Sequence, residues 1–192
     1  MTGLRAGAGW LTAAAMVLAI GFAAGGADVG RRGPAIVMII RHAEKPDKAG
    51  DPDLSAVGFQ RADALAKVFP ARFPHPDFLI ATKPSKDSRR PLETITPLAR
   101  ALHETIDADL KDDEVGKLAQ AVLNDPRYEG KVVLIAWHHE EIPELARDLG
   151  AKAAPEKWNA RVFDRVWEIS YDKGTASFKD LPEEALPGDS TK

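Results

Sequence analysis

An arginine and a histidine stand together where a short apolar segment of this 192-residue chain ends. The apolar residues Ile36–Ile40 are followed directly by Arg41 and His42, with Glu44 and Lys45 close behind. Arginine offers a planar fork of donors to an anion, and histidine can act as a nucleophile or carry a proton near neutral pH. These residues therefore predict a site for an anionic substrate.

Two further polar clusters follow apolar segments of the same kind. Arg90 comes after Phe78–Ala81 and a polar loop, and His138–Glu141 come directly after Lys131–Trp137. Apolar runs of this length predict buried strands, and the carboxyl ends of parallel strands lie at one edge of a sheet, where ligands bind. We therefore expect the three polar clusters to converge at that edge.

Two arginines and two histidines at one edge suit a phosphoryl group, because its oxygens need several charge-assisted donors. A histidine attacks phosphorus only through an unprotonated ring nitrogen. Arg41 and Arg90 disfavour the imidazolium form and so keep His42 available as a nucleophile. A second histidine, kept protonated by the anionic ligand, would stabilise the transferring group electrostatically.

The spacing of apolar residues predicts helices between these strands. Ser55 is a suitable N-cap for a first helix, and the prolines from Pro70 onward are expected to end it. A second helix is predicted over 90–102, kinked or delayed by the proline inside it. A third helix is expected to be capped by Asp112 or Asp113.

The C-terminal third of the chain completes the predicted architecture. A short helix is expected over Pro143–Leu149, and Arg165–Tyr171 with Ala176–Asp180 predict a β-hairpin. Strands that alternate with helices indicate an α/β fold. We therefore predict a three-layer sandwich with a mostly parallel central sheet flanked by helices.

Four segments, in order between residues 35 and 150, resemble the motifs of the histidine phosphatase superfamily, the phosphoglycerate-mutase-like enzymes. The segments are Arg41-His42-Ala43-Glu44, Leu54-Ser55-x-x-Gly58-x-x-Arg61-Ala62, Arg90-Pro-Leu-Glu-Thr94, and Val133–His138 followed by Ile142–Leu145.

This resemblance implies a phosphohydrolase that cleaves a phosphomonoester or a phosphoprotein through a covalent phosphohistidine on His42. It implies that Arg41, Arg90 and His138 hold the phosphoryl oxygens. Glu44 would brace the arginines or the loop of the nucleophile. No metal or organic cofactor is implied, and the expected partner is a small phosphorylated substrate.

Two roles at the site remain open in the sequence. We favour Glu140 as the acid that protonates the leaving oxygen, and the carboxylates of the segment Asp109–Glu114 are the alternative. Lys45 is a candidate contact for the substrate anion, and a solvated loop lysine is the alternative. His138 is preferred to His139 for the pocket because the spacing to Ile142 matches the family pattern.

Other classes of function fit the sequence less well. The formal net charge of −3 and the absence of a basic stretch argue against a nucleic-acid partner. One alternative is a non-catalytic phosphate-binding or scaffold protein on the same fold, and another is a metal site at His138–Glu141. Hydrolysis is favoured over mutase activity, because the chain is short of the insertions that would retain a product.

The N-terminal segment differs from the rest of the chain. Arg5, the apolar residues Trp10–Phe22 and the small residues that follow have the layout of a secretory signal. We predict a signal peptide over 1–27, a histidine-phosphatase-like domain over 28–180 and a disordered tail over 181–192. The protein is expected to be exported, periplasmic or secreted, without stable membrane insertion after signal removal; an uncleaved N-terminal anchor is the alternative.

Overall fold

The computed structural model describes residues 1–3 and 33–190, so that most of the predicted signal peptide lies outside the described residues. The strands in the described part are β1 (Ile36–Arg41), β2 (Phe78–Ala81), β3 (Ile106–Asp107), β4 (Val132–Trp137), β5 (Arg165–Asp172) and β6 (Thr175–Pro182). The α-helices there are α1 (Ala56–Arg72), α2 (Arg90–Leu102), α3 (Val115–Asn124) and α4 (Ile142–Asp148). Within these ranges no helix has the length and apolar character needed to cross a membrane.

The strands form one sheet in the order β3-β2-β4-β1-β5-β6. The pairs from β3 to β1 are parallel, whereas β5 lies antiparallel to β1 and pairs with β6 as a hairpin. The hairpin turns at Lys173 and Gly174, whose positive φ angles of 48° and 80° suit a tight two-residue turn. The predicted hairpin and the mostly parallel sheet are both confirmed.

Alternation along the strands divides the core into two layers. In β1, Val37 and Ile39 face α3 and α4, while Met38 and Ile40 face α1 and α2. Because side chains alternate across a strand, one apolar segment can supply both layers. The predicted three-layer α/β sandwich is confirmed.

Two helix boundaries differ from the prediction. Pro70 lies inside α1 and does not end it; a proline in the last turn removes only one hydrogen bond, so the helix continues to Arg72. The predicted cap of α3 by Asp112 or Asp113 is also wrong. The N-cap is Glu114, whose carboxylate accepts from the Lys111 amide at 3.0 Å and from Nζ of Lys117, but from no backbone amide of α3.

The predicted disordered tail is wrong for residues 181–190. Strand β6 runs to Pro182, and Glu183 is buried. Polar composition suggested disorder, but the carboxylates of Glu183 and Asp189 each lie 2.8 Å from the buried guanidinium of Arg61 on α1. A partner distant in sequence therefore orders this segment.

Candidate active site

The pairing of β1 with β4 places two histidines side by side. The strands are parallel with Arg41 opposite Trp137, and the amide of His42 donates to the Trp137 carbonyl at 3.0 Å. His42 and His138 therefore leave neighbouring strands at the same level. Their ring centroids lie 5.2 Å apart in an edge-to-face arrangement. The predicted convergence of these two strand ends is observed.

His42 is held as a neutral imidazole. Its side chain is buried, and Nδ1 lies 2.7 Å from the carbonyl oxygen of Ala43. Because a carbonyl only accepts, Nδ1 carries the proton and Nε2 keeps its lone pair. Burial, together with the smaller effects of the charges of Arg41, His138 and Arg90, lowers the pKa of His42 to about 2. The predicted effect of the arginines is present, but burial is the larger cause.

Arg41 is fixed by the loop that precedes β5. Its Nη1 donates to the carbonyls of Ala160 at 2.7 Å and Val162 at 3.2 Å, and its guanidinium carbon lies 3.8 Å from the ring centroid of Phe163. Burial lowers the pKa of Arg41 to about 10, so the group stays protonated at neutral pH. Its buried Nε has no hydrogen-bond partner among the described residues.

Arg90 reaches the same edge from the start of α2. Its Nη1 donates to the Asp51 carbonyl at 3.0 Å, and its buried Nε also lacks a partner in the described part of the chain. One turn later, the hydroxyl of Thr94 donates to the Arg90 carbonyl at 2.7 Å and accepts from the Ala43 amide at 2.8 Å. Thr94 thus ties α2 to the residue that follows His42.

His138 and its neighbours occupy the outer side of the site. Burial is the main cause that lowers the pKa of His138, whereas the charges of Asp112 and Glu140 raise it. The Glu140 side chain is 63% exposed and lies with Oε2 2.6 Å from Nδ1 of His139. Asp112 and Glu140, two of the candidate acids named from the sequence, therefore act electrostatically on His138, and Glu140 does so from the solvent side.

Solved structures share this arrangement of layers. The protein histidine phosphatase SixA, complexed with tungstate, matches with a TM-score of 0.57 and 14% identity over 77% of this chain and 97% of that chain. The chain has the histidine-phosphatase fold. A mycobacterial glucosyl-3-phosphoglycerate phosphatase with inorganic phosphate matches with a TM-score of 0.53 and 15% identity, over 76% of this chain and 95% of its own.

A phosphoglycerate mutase from Bacillus anthracis str. Sterne matches this fold with a TM-score of 0.52 and 13% identity, over 79% of this chain and 94% of that chain. No protein-family model matches the sequence, and no curated protein matches it significantly. The resemblance seen in the four sequence segments is thus confirmed at the level of the histidine-phosphatase fold.

Glu44 contributes to this fold by joining the loop of His42 to α1. Its carboxylate accepts from Nε of Arg61 at 3.0 and 3.1 Å and from Nη2 at 2.8 Å. Of the two roles expected for Glu44, the structure therefore shows the bracing of the loop that carries His42. Lys45 is exposed beyond it, and its charge contributes to the lowered pKa of His139.

Three side chains of the site had no role in the sequence-based prediction. Arg61 and Thr94 belong to the quoted motifs, but a motif does not show which backbone group a side chain contacts. Phe163 belongs to no motif, and only the structure shows it on Arg41.

Among the described residues, no three His, Cys, Asp or Glu side chains are grouped as a metal site requires, so the metal hypothesis for His138–Glu141 gains no support.

Proposed function

We propose that this chain is a phosphohydrolase that cleaves a small phosphomonoester through a covalent phosphohistidine on His42. The observation that carries the proposal is the neutral ring of His42, with Nδ1 bound to the Ala43 carbonyl and Nε2 free to attack, beside two arginines whose Nε atoms are buried without a partner among the described residues. The solved structures of the same fold that are named as phosphatases support it.

The proposed reaction has two steps. Nε2 of His42 attacks phosphorus, the bond from phosphorus to the leaving oxygen breaks, and that oxygen takes a proton. Water then attacks the phosphohistidine and gives a proton back to the group that protonated the leaving oxygen; the bond from phosphorus to Nε2 breaks, which releases inorganic phosphate and restores the neutral ring. The Ala43 carbonyl, which accepts a hydrogen bond from Nδ1–H throughout, stabilises the positive charge that the ring carries while phosphorylated.

The arginines and His138 would bind the phosphoryl oxygens during both steps. The unpartnered Nε–H groups of Arg41 and Arg90 are donors that a phosphoryl oxygen satisfies. An anionic ligand beside His138 opposes the effect of burial and favours its protonated form. Glu140 is our proposed acid for the leaving oxygen, with Asp112 as the alternative.

We further propose that the protein acts after export. This rests on the sequence alone: a cationic residue, a short apolar segment and small residues at its end, as in a secretory signal.

Turnover of an aryl phosphate tests the proposal, because that leaving group needs little help from an acid. We expect the wild-type protein to release the aryl alcohol and to yield acid-labile phosphate on His42 when quenched. His42→Ala should abolish both signals, and His75→Ala, at an exposed loop position, should leave both unchanged. Turnover that persists in His42→Ala refutes the mechanism, and a wild-type protein that binds phosphate without turnover favours the scaffold alternative.

A further inference from the structure

The residues after β6 bind a buried arginine of α1. We call residues 183–190 the C-terminal segment. Its Asp189 meets Arg61 through two parallel contacts, Oδ2 to Nη1 at 2.8 Å and Oδ1 to Nη2 at 2.9 Å. Such bidentate pairs combine charge with a fixed orientation. Glu183 contacts the same guanidinium at 2.8 Å, and all three side chains are nearly inaccessible to solvent.

The carboxylate of Asp189 is itself held in place. Its Oδ2 accepts from the backbone amides of Ala185 at 2.9 Å and Leu186 at 2.8 Å. Burial alone would raise the pKa of Asp189, but these bonds and Arg61 lower it overall, so the group is an anion at neutral pH. Asp189 therefore presents a preoriented negative charge to Arg61.

Arg61 also binds Glu44, in the loop that carries His42. The other edge of its guanidinium holds both carboxylate oxygens of Glu44. The carbonyl of Glu44 accepts from the Ser55 amide at 2.9 Å, which fixes the Glu44 backbone against the start of α1. The preceding carbonyl, that of Ala43, is the one that orients the His42 ring.

The C-terminal segment also contacts the loop that holds Arg41. The Glu183 amide donates to the Asp164 carbonyl at 2.9 Å, and the Ser190 amide donates to Oδ2 of Asp164 at 2.5 Å. Asp164 directly follows Phe163, which stacks on Arg41. The segment thus bridges the two loops that position the nucleophile and one of the phosphate-binding arginines.

We infer that Asp189 is a positioning residue for phosphoryl transfer, which acts through Arg61 and Glu44 on the orientation of His42. The inference rests on the proposed function, since it assigns Asp189 a part in that reaction. A tail that only stabilises the fold would leave the chemistry of the folded enzyme unchanged, whereas a positioning residue changes kcat in protein that remains folded.

The test compares Asp189→Asn with Glu184→Gln. The asparagine keeps the shape of the side chain but loses its charge. Glu184 pairs with Arg72 at the surface of the same segment, so its variant controls for the loss of one ion pair there. We expect kcat for an aryl phosphate to fall about 10- to 100-fold in Asp189→Asn with little change in KM, and to stay at the wild-type value in Glu184→Gln.

A spectroscopic readout separates positioning from stability. In the imidazole ¹H–¹⁵N spectrum, assigned with His42→Ala, the Nδ1 proton signal of His42 should shift or broaden in Asp189→Asn but not in Glu184→Gln. If Asp189→Asn does not fold, Asp189→Glu is measured in the same way. A folded Asp189 variant with wild-type kcat and an unchanged His42 signal overturns the inference, and failure of both variants to fold makes Asp189 a structural residue and overturns it as well.

Binding of inorganic phosphate, measured by calorimetry, distinguishes this inference from the proposed function. If the wild type binds phosphate but turns nothing over, the proposed function fails. In that case an altered His42 signal in Asp189→Asn, and not in Glu184→Gln, still supports a role of Asp189 in orienting the His42 ring. If the wild type is active and the Asp189 and Glu184 variants match it, the positioning role fails while the proposed function stands.

Discussion

Replacing Gly58 with alanine should damage both the fold and the site. Gly58 is in the first turn of α1, where the helix passes the loop that carries His42. A Cβ atom at Gly58 would lie 2.3 Å from the carbonyl oxygen of Glu44 and 3.1 Å from both the Glu44 amide nitrogen and Leu54 Cβ, against 3.4–4 Å for ordinary contact. Because the nearest atom is backbone, Glu44 must move by about 1 Å to relieve the overlap.

Two opposing effects set the size of the change in stability. Alanine is better than glycine in a helix by roughly 0.5–1 kcal/mol. Overpacking against a fixed backbone costs about 1–3 kcal/mol. We therefore expect Gly58→Ala to lower the free energy of unfolding by about 1–2 kcal/mol. A shift of Glu44 also moves the adjacent Ala43 carbonyl, so kcat should fall by about 100-fold.

Gly116 of α3 provides the matched control, because a Cβ there would meet only Asp148 Oδ2 at 3.7 Å, an ordinary contact. Gly116→Ala should raise the free energy of unfolding by up to about 1 kcal/mol and leave kcat unchanged. Urea denaturation and aryl phosphate turnover measure both variants. The reasoning is refuted if Gly58→Ala is as stable as Gly116→Ala, or if it retains wild-type kcat.

Two further predictions concern His42 and the groups around it. Thr94→Val leaves the buried Ala43 amide without its acceptor, so it should lower the free energy of unfolding by about 1–3 kcal/mol and reduce kcat. Thr94→Ser keeps the hydroxyl and should change neither quantity. Urea denaturation and aryl phosphate kinetics of the two variants check this. The folded state resists protonation of His42, whereas the unfolded state takes the proton below about pH 6.5, so stability falls as the pH falls. Between pH 6.5 and pH 5, protonation of His42 in the unfolded state should lower the free energy of unfolding by about 2 kcal/mol. Urea denaturation at both pH values measures this, and an equal decrease in the wild type and in His42→Asn would contradict it.

Local pattern was sufficient to predict much of the fold. The apolar segments that precede His42 and His138 became adjacent parallel strands, because a run buried on both faces has few other places in a small α/β domain. Their polar ends then met at one edge of the sheet, as the topology of parallel strands requires. The predicted positions of α2, α4 and the β5–β6 hairpin depend on similarly local signals.

The parts that the sequence did not reveal depend on contacts between distant residues. Asp189 and Glu183 look like a polar tail until Arg61, more than a hundred residues earlier, is seen beside them. The carbonyls of Ala160 and Val162 hold Arg41 from a loop without a motif. The main cause of the lowered pKa of His42 is burial, which depends on the whole assembled core rather than on the residues next to His42 in sequence.

The register of β1 against β4 has an evolutionary consequence. The alternation that sends Val37 inward to one layer and Met38 to the other also sets the level at which His42 emerges beside His138. A single-residue insertion in either strand would invert both layers and separate the imidazoles. Substitution of one aliphatic residue for another leaves the register and the alternation of side chains unchanged. Selection on this architecture therefore tolerates extensive sequence drift but few length changes in these strands, which explains how the chain keeps its shape at 13–15% identity to distant structures.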